Sequence, residues 1–294
     1  LLLYIFEPSV MSHWDSDVRH WRFVYESLQD LNRQLTVHQA QIYIFHGEAV
    51  DIFTKLQQHF TIDAVFSSEE TGNGLTYQRD LSLKKVFKAT GILWKEYQTN
   101  GVVRRLKSRK QWDALWEAKM TAPPVSFDHL AWNILSLDPV IYNHLKGAPL
   151  PTEITTRNTN FQEGGEYWAW RYLASFLTER HANYSKHISK PVLSRKGCSR
   201  LSPYLAYGNI SMRMVYQFTK KHYEKIQRGL NITDEQLRDV INQIIKLNPK
   251  PGGTVGGSNA GEGYVIPDFF ILNNAGKLEL TLNSRNAPDL RISE

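Results

Sequence analysis

Four short apolar runs, separated by stretches of helical period, fill the first hundred residues and constrain the fold more than any other feature of the chain. Residues 1–6, 41–45, 62–66 and 92–97 each have the length and apolar character of a strand buried in a parallel sheet. Between them, Val18, Trp21, Tyr25, Leu28, Leu31 and Leu35 recur at helical spacing behind Asp17, which can cap that helix. Ala49, Ile52, Phe53, Leu56 and Phe60 mark a second amphipathic helix, and residues 76–89 a third, closed near Gly91. This alternation predicts an α/β architecture: a parallel, Rossmann-like sheet with helices on both faces.

The pattern changes beyond Arg109. Trp112, Leu115, Trp116 and Met120 predict a helix that stops before Pro123-Pro124, and the polar stretch 151–161 reads as a linker. Residues 166–183 predict a long helix with Trp170, Leu173, Phe176 and Leu177 on one face. Residues 202–222 predict another, with Pro203 in its first turn. This second region is an all-helical segment. A third begins at the capping box Thr233-Asp234-Glu235-Gln236, whose helix is expected to run to Leu247. Two strands, residues 264–272 and 277–282, follow a Gly-rich loop and form a β-hairpin, with Pro267 making the first an edge strand.

Composition shifts where the third region begins. The net charge is +6, but residues 225–294 carry eight basic and eight acidic side chains, so the whole excess lies upstream. All eight Trp fall between Trp14 and Trp170, and six of the 18 Gly fall between Gly252 and Gly263. These shifts place a boundary between Lys221 and Leu230. No apolar run nears the roughly 20 residues that span a bilayer, so no membrane partner is expected. The chain opens inside a strand without an initiator Met, which reads as a lost N-terminus. The single Cys198 cannot form an internal disulfide, so a cytoplasmic location is expected.

Individual motifs divide between a chemical and a bland reading. Glu69-Glu70-Thr71-Gly72-Asn73-Gly74 follows the third strand, where open parallel sheets gather ligands, but a polar turn is the commoner meaning. The basic run Arg104-Arg105-Leu106-Lys107-Ser108-Arg109-Lys110 could meet phosphate and is more often a solvated or ion-paired face. Gly197-Cys198-Ser199-Arg200-Leu201-Ser202-Pro203 places small hydroxyls and an Arg ahead of a helix start, which suits a diphosphate or an ordinary cap. The Gly-rich loop 252–261 lacks the Lys-Ser or Lys-Thr of a nucleotide loop. The histidines have no metal-ligand spacing, so no metal is expected, and nothing marks a nucleophile elbow.

Two resemblances rest on ordered motifs. Residues 1–223 resemble the photolyase/cryptochrome family. The match runs through Tyr4-Ile5-Phe6-Glu7-Pro8, Arg19-His20-Trp21-Arg22-Phe23, Glu69-Glu70-Thr71-Gly72-Asn73, Asn100-Gly101-Val102-Val103-Arg104-Arg105, Gly164-Gly165-Glu166 and Ser199-Arg200-Leu201-Ser202-Pro203-Tyr204-Leu205-Ala206-Tyr207-Gly208-Asn209. The resemblance implies an α/β antenna domain over residues 1–122 that lacks its first strand. A linker and the start of a helical FAD-binding domain would then occupy residues 123–223. It also implies the chemistry of a deoxyribodipyrimidine photo-lyase: light-excited reduced FAD passes an electron to a pyrimidine dimer flipped from damaged DNA. Tyr184 then matches the Tyr near the flavin phosphates, and Ser199, Arg200, Leu201 and Ser202 match the phosphate-cradling turn. Cys198 stands where many members carry Thr. No catalytic residue is assigned, because the dimer pocket, the residues around the flavin and adenine rings and the photoreduction Trp chain lie in the part of the family not matched. The antenna chromophore, the lesion and the choice between repair and signalling stay open, and the chain is expected to be inactive.

Residues 226–294 resemble the bacterial sigma-54 RNA polymerase factors, through Leu247-Asn248-Pro249-Lys250-Pro251-Gly252-Gly253, Tyr264-Val265-Ile266-Pro267-Asp268-Phe269 and Leu282-Asn283-Ser284-Arg285-Asn286-Ala287-Pro288-Asp289-Leu290. That resemblance implies part of the core-binding region over residues 224–294, with core RNA polymerase as partner. Three readings follow: a truncated light-driven repair protein, a sigma-54 fragment in transcription initiation, or a chimeric join at residues 223–227 with no selected function.

Overall fold

The structure is a computed structural model that describes residues 1–99, 101–124, 134–227, 267–272, 278–282 and 290–291. The chain divides into two compact units: residues 1–28, 40–119 and 131–162, and residues 29–39, 120–130 and 163–294.

The first unit is built on parallel strands. β1 (Leu2–Phe6) is followed by a short helix, α1 (Pro8–Met11), and by α2 (Val18–Leu35). Asp17 begins α2 as its side chain predicts, with Oδ1 accepting the Arg19 N–H at 2.9 Å. The remaining elements are β2 (Ile42–His46), α3 (Ala49–Gln57), β3 (Ala64–Ser68), α4 (Gly74–Thr90), β4 (Leu93–Tyr97), α5 (Trp112–Thr121), α6 (Pro139–Leu145) and α7 (Thr152–Thr155). β1 pairs parallel with β2, Leu2 opposite Ile42 and Phe6 opposite His46. β3 pairs parallel with β4, Ala64 opposite Leu93 and Ser68 opposite Tyr97.

Period-two alternation sends each strand's side chains to two faces. Tyr4, Phe6, Ile42 and Ile44 meet Val24 and Leu28 of α2. Leu3, Ile5, Tyr43 and Phe45 turn the other way, onto Ile52, Phe53 and Leu56 of α3 and Leu83 and Phe87 of α4. The β1–β2 pair is thus covered on both sides, as expected for the fold. The short α6 adds Leu145, 1% exposed, to the second core. The stretch read as a linker carries α7, buries Ile154 against α2, and offers the Glu153 carbonyl to Arg22 Nε at 2.9 Å.

The second unit is helical, with a small sheet. α8 (Glu166–Thr178) is followed by a 3-10 turn at Arg180–Asn183, so the long helix expected to residue 183 breaks at Glu179 and tightens beyond it. α9 (Tyr184–His187), α10 (Pro191–Gly197), α11 (Ser202–Ala206) and α12 (Met212–Gln227) follow. The single helix expected over residues 202–222 is therefore two. Gly208 adopts φ 71°, a left-handed conformation that ends α11 and lets α12 start afresh. Three antiparallel strands, β5 (Pro267–Leu272), β6 (Leu278–Leu282) and β7 (Leu290–Arg291), lie in the order β5-β6-β7. The expected hairpin is present, Pro267 sits in an edge strand, and the ladder is irregular between Pro267 and Phe269. The helix expected at 233–247, the Gly-rich loop and the hairpin turn lie outside the described residues.

Candidate functional site

The expected site residues sit around the end of α8. Tyr184 opens α9, is 39% exposed, and sets its ring edge-on to Phe176 at 5.8 Å. Ser199, Arg200, Leu201 and Ser202 form the turn that leads into α11. Arg200 holds a left-handed φ of 64°, uncommon for a residue with a Cβ. Leu201 is 4% exposed, so its side chain belongs to the core and only its backbone could face a ligand.

One residue that sequence reading did not single out holds this arrangement together. Arg180 donates from Nη2 to the carbonyls of Tyr172 at 2.6 Å and Ser199 at 3.1 Å, from Nη1 to the Cys198 carbonyl, and from Nε to Ser175 Oγ at 3.1 Å. Its guanidinium also lies 5.7 Å from the ring centroid of Tyr172 and 5.8 Å from that of Phe176. Tyr172 in turn leans on Tyr204, whose hydroxyl donates to the Glu163 carbonyl at 2.8 Å. Through these contacts the structure brings Tyr184 and the 198–202 turn to the same end of α8. Burial, with Arg200 also contributing, pulls the Arg180 pKa below its ordinary value. Two guanidiniums at one turn favour an anion, by the ordinary rule of charge-assisted hydrogen bonding. An Arg two residues past the end of a long aromatic helix was the available signal.

At the start of α8, Gly165 takes φ 117°, and a Cβ there would meet Asp30 Oδ2 at 2.8 Å. The Gly is required because Asp30 accepts the Glu166 N–H at 2.9 Å, capping the helix from α2. Burial pushes the Glu166 carboxyl up to about 7, against the Trp170 indole N–H, which donates to it at 3.0 Å, and with Asp30 nearby. Burial also raises Asp30, against Arg33.

Two other motifs resolve toward their bland readings. Asn73 caps α4 through a reciprocal pair with Thr76, so the Glu69–Gly74 turn serves the helix start. Arg104 pairs with Glu96 at 2.8 Å and with Glu69 at 3.5 Å. No group of three potential metal ligands occurs among the described residues, and none of their helices is long and apolar enough to cross a membrane.

Paired parallel strands covered by helices, followed by a helical unit, define a photolyase-like class of fold. Residues 1–113 match the DNA photolyase family model, and residues 202–294 match that of the sigma-54 factor core binding domain. Cryptochrome-1 of Erithacus rubecula is 22% identical over 256 residues, covering 77% of this chain and 40% of that protein. The RNA polymerase sigma-54 factor of Vibrio anguillarum is 31% identical over 74 residues, covering 25% of this chain and 15% of that one. The crystal structure of an archaeal photolyase from Sulfolobus tokodaii with two FAD molecules superposes with a TM-score of 0.53 at 18% identity, over 84% of this chain and 54% of that one. The chain is thus photolyase/cryptochrome-like in its first part and sigma-54-like in its last, and it spans about two fifths of the length of the cryptochromes it matches.

Proposed function

We propose that residues 1–223 are a partial photolyase-like flavoprotein unit and residues 224–294 a partial sigma-54 core-binding region, joined at residues 223–227. Residues 1–122 are the α/β domain, and residues 123–223 hold a linker and the opening helices of an FAD domain. The observation that carries the flavin reading is the convergence of Arg180, Arg200 and Tyr184 at the end of α8. Tyr184, Ser199, Arg200, Leu201 and Ser202 would hold the FAD diphosphate, through side chains and, at Leu201, the backbone. FAD bound there would supply light absorption and the electron for splitting a pyrimidine dimer in damaged DNA. The groups that hold the flavin and adenine rings are not among those the resemblance carries onto this chain. Residues 1–294 alone therefore bind FAD weakly and do not repair dimers.

A second reading is supported by the sigma-54 match beginning at residue 202, inside the photolyase-like part and upstream of α12. On that reading the chain binds core RNA polymerase from the cytoplasm. A third reading, a chimeric join without selected function, is supported by partial matches to two unrelated families in one chain, over residues 1–113 and 202–294. A pull-down of core polymerase with the full chain tests the second reading. A sequencing read across the codons for residues 215–240 in source DNA tests the third, which fails if the join is intact there and the protein is expressed from it.

A further inference from the structure

The basic run that follows β4 is only partly accounted for by ion pairs. Residues 104–110 carry five cations and no carboxylate. Arg104 is taken up by Glu96 and Glu69. Arg105, Lys107, Arg109 and Lys110 are exposed, and among the described residues no carboxylate pairs with any of them. A solvated face usually interleaves both signs, whereas a block of one sign marks a contact with a polyanion. The loop that carries these charges is held from both sides. Gln98 Nε2 donates to the Val102 carbonyl at 2.7 Å, and Lys119 Nζ to the Gln98 carbonyl at 2.5 Å. Trp112 Nε1 donates to the Gly101 carbonyl at 3.2 Å, which fixes its ring. Trp116 closes so tightly on Gly101 that a Cβ there would not fit, and its ring centroid lies 6.1 Å from that of Trp112. Trp112 nevertheless stays 40% exposed, directly after the Arg109–Gln111 turn.

We propose that this loop docks single-stranded nucleic acid, with Arg105, Lys107, Arg109 and Lys110 along the phosphates and the Trp112 ring stacked on an unpaired base. Two observations select that partner. Four cations without carboxylate partners within six residues attract a backbone of regularly spaced anions, and release of its counterions makes the attraction salt-dependent. An anchored, exposed indole offers a flat face that any base can cover, and the bases of a single strand are free to do so. An acidic protein segment would answer the charges but leave the indole without a stacking partner. All of these residues lie in the first unit, and the contact needs neither flavin nor a lesion. The inference therefore does not rest on the flavin reading.

The full chain is titrated in the dark, without FAD, with a fluorescein-labelled strand of about 15 thymidines, and binding is read by anisotropy. The same strand annealed to its complement and a polyaspartate of similar length serve as comparison ligands. The single strand is expected to bind about fivefold more tightly than either, with log K falling against log salt at a slope of roughly −3. Lys107→Glu/Lys110→Glu should weaken binding about tenfold or more and flatten that slope. Trp112→Leu should weaken it about tenfold and keep the slope. Lys186→Glu/Lys190→Glu, the same charge change in the second unit, should leave affinity within about twofold. No binding of the single strand, or equal or tighter binding of the duplex or the polyaspartate, overturns the proposal. So does an affinity unchanged by the Lys107/Lys110 reversal or by Trp112→Leu, or an equal loss in the Lys186/Lys190 variant.

Discussion

Arg180 Nη2 donates to the Ser199 carbonyl at 3.1 Å, and this bond fastens the end of α8 to the turn before α11. The same guanidinium satisfies the Tyr172 and Cys198 carbonyls, so the geometry of the 199–202 turn depends on a residue outside it. Replacing Arg180 with Ala strands several carbonyls and removes two ring contacts. The expected loss is about 2–4 kcal/mol of unfolding free energy in urea. Arg180→Lys recovers little, because three donors on one nitrogen cannot reproduce the planar guanidinium's four bonds, to three carbonyls and Ser175 Oγ.

Stability should depend on pH through Glu166. Its folded pKa of about 7 stands above the ordinary 4.5, so the folded state keeps a proton that the unfolded state releases. The contribution is fully present below 4.5, and it is lost as pH rises through about 7. Asp30, also raised by burial, adds a change of the same sign. Chemical denaturation between pH 4.5 and 8 should show a fall on the order of 2 kcal/mol. Glu166→Gln should flatten that part of the profile; an unchanged slope would place the titration elsewhere.

Arg79→Met should be the most damaging single change in the first unit. It leaves Glu7, 5% exposed, buried without its 2.8 Å cation, and it releases Glu70. A cost of roughly 3–5 kcal/mol is expected for breaking one side of a buried pair. The Glu7→Gln/Arg79→Met double variant should recover part of it in a double-mutant cycle.

Asn73→Ala removes the acceptor for the Thr76 N–H at 3.1 Å and half of the reciprocal cap of α4. About 1 kcal/mol should be lost, and Asn73→Asp should retain most of it. Thermal unfolding of the three proteins side by side reads this directly.

Much of the first unit was legible because its elements are long and periodic. Asp17, the 18–35 stripe and the four apolar runs specify α2 and place three strands to within a residue, while β3 lies two residues later than its apolar run. The short α1, α6 and α7 were not legible, since a turn or two of helix has no measurable period and depends on tertiary partners such as the core around Leu145. The break at Gly208 was missed because apolar residues continue across it at near-helical spacing. Of the candidate site, the 199–202 turn and Tyr184 came from motif order, whereas Arg180 acts through backbone carbonyls 8 to 19 residues away, a relation no local pattern encodes.

The central question is whether the 199–202 turn and Tyr184 are enough to hold a flavin. Visible absorbance of the purified full chain after incubation with excess FAD and gel filtration, expressed as flavin per chain, measures this most directly. A small fraction of flavin per chain, with no dimer splitting on irradiated oligonucleotide under light, is the expected result. Near-stoichiometric flavin that survives filtration would contradict it.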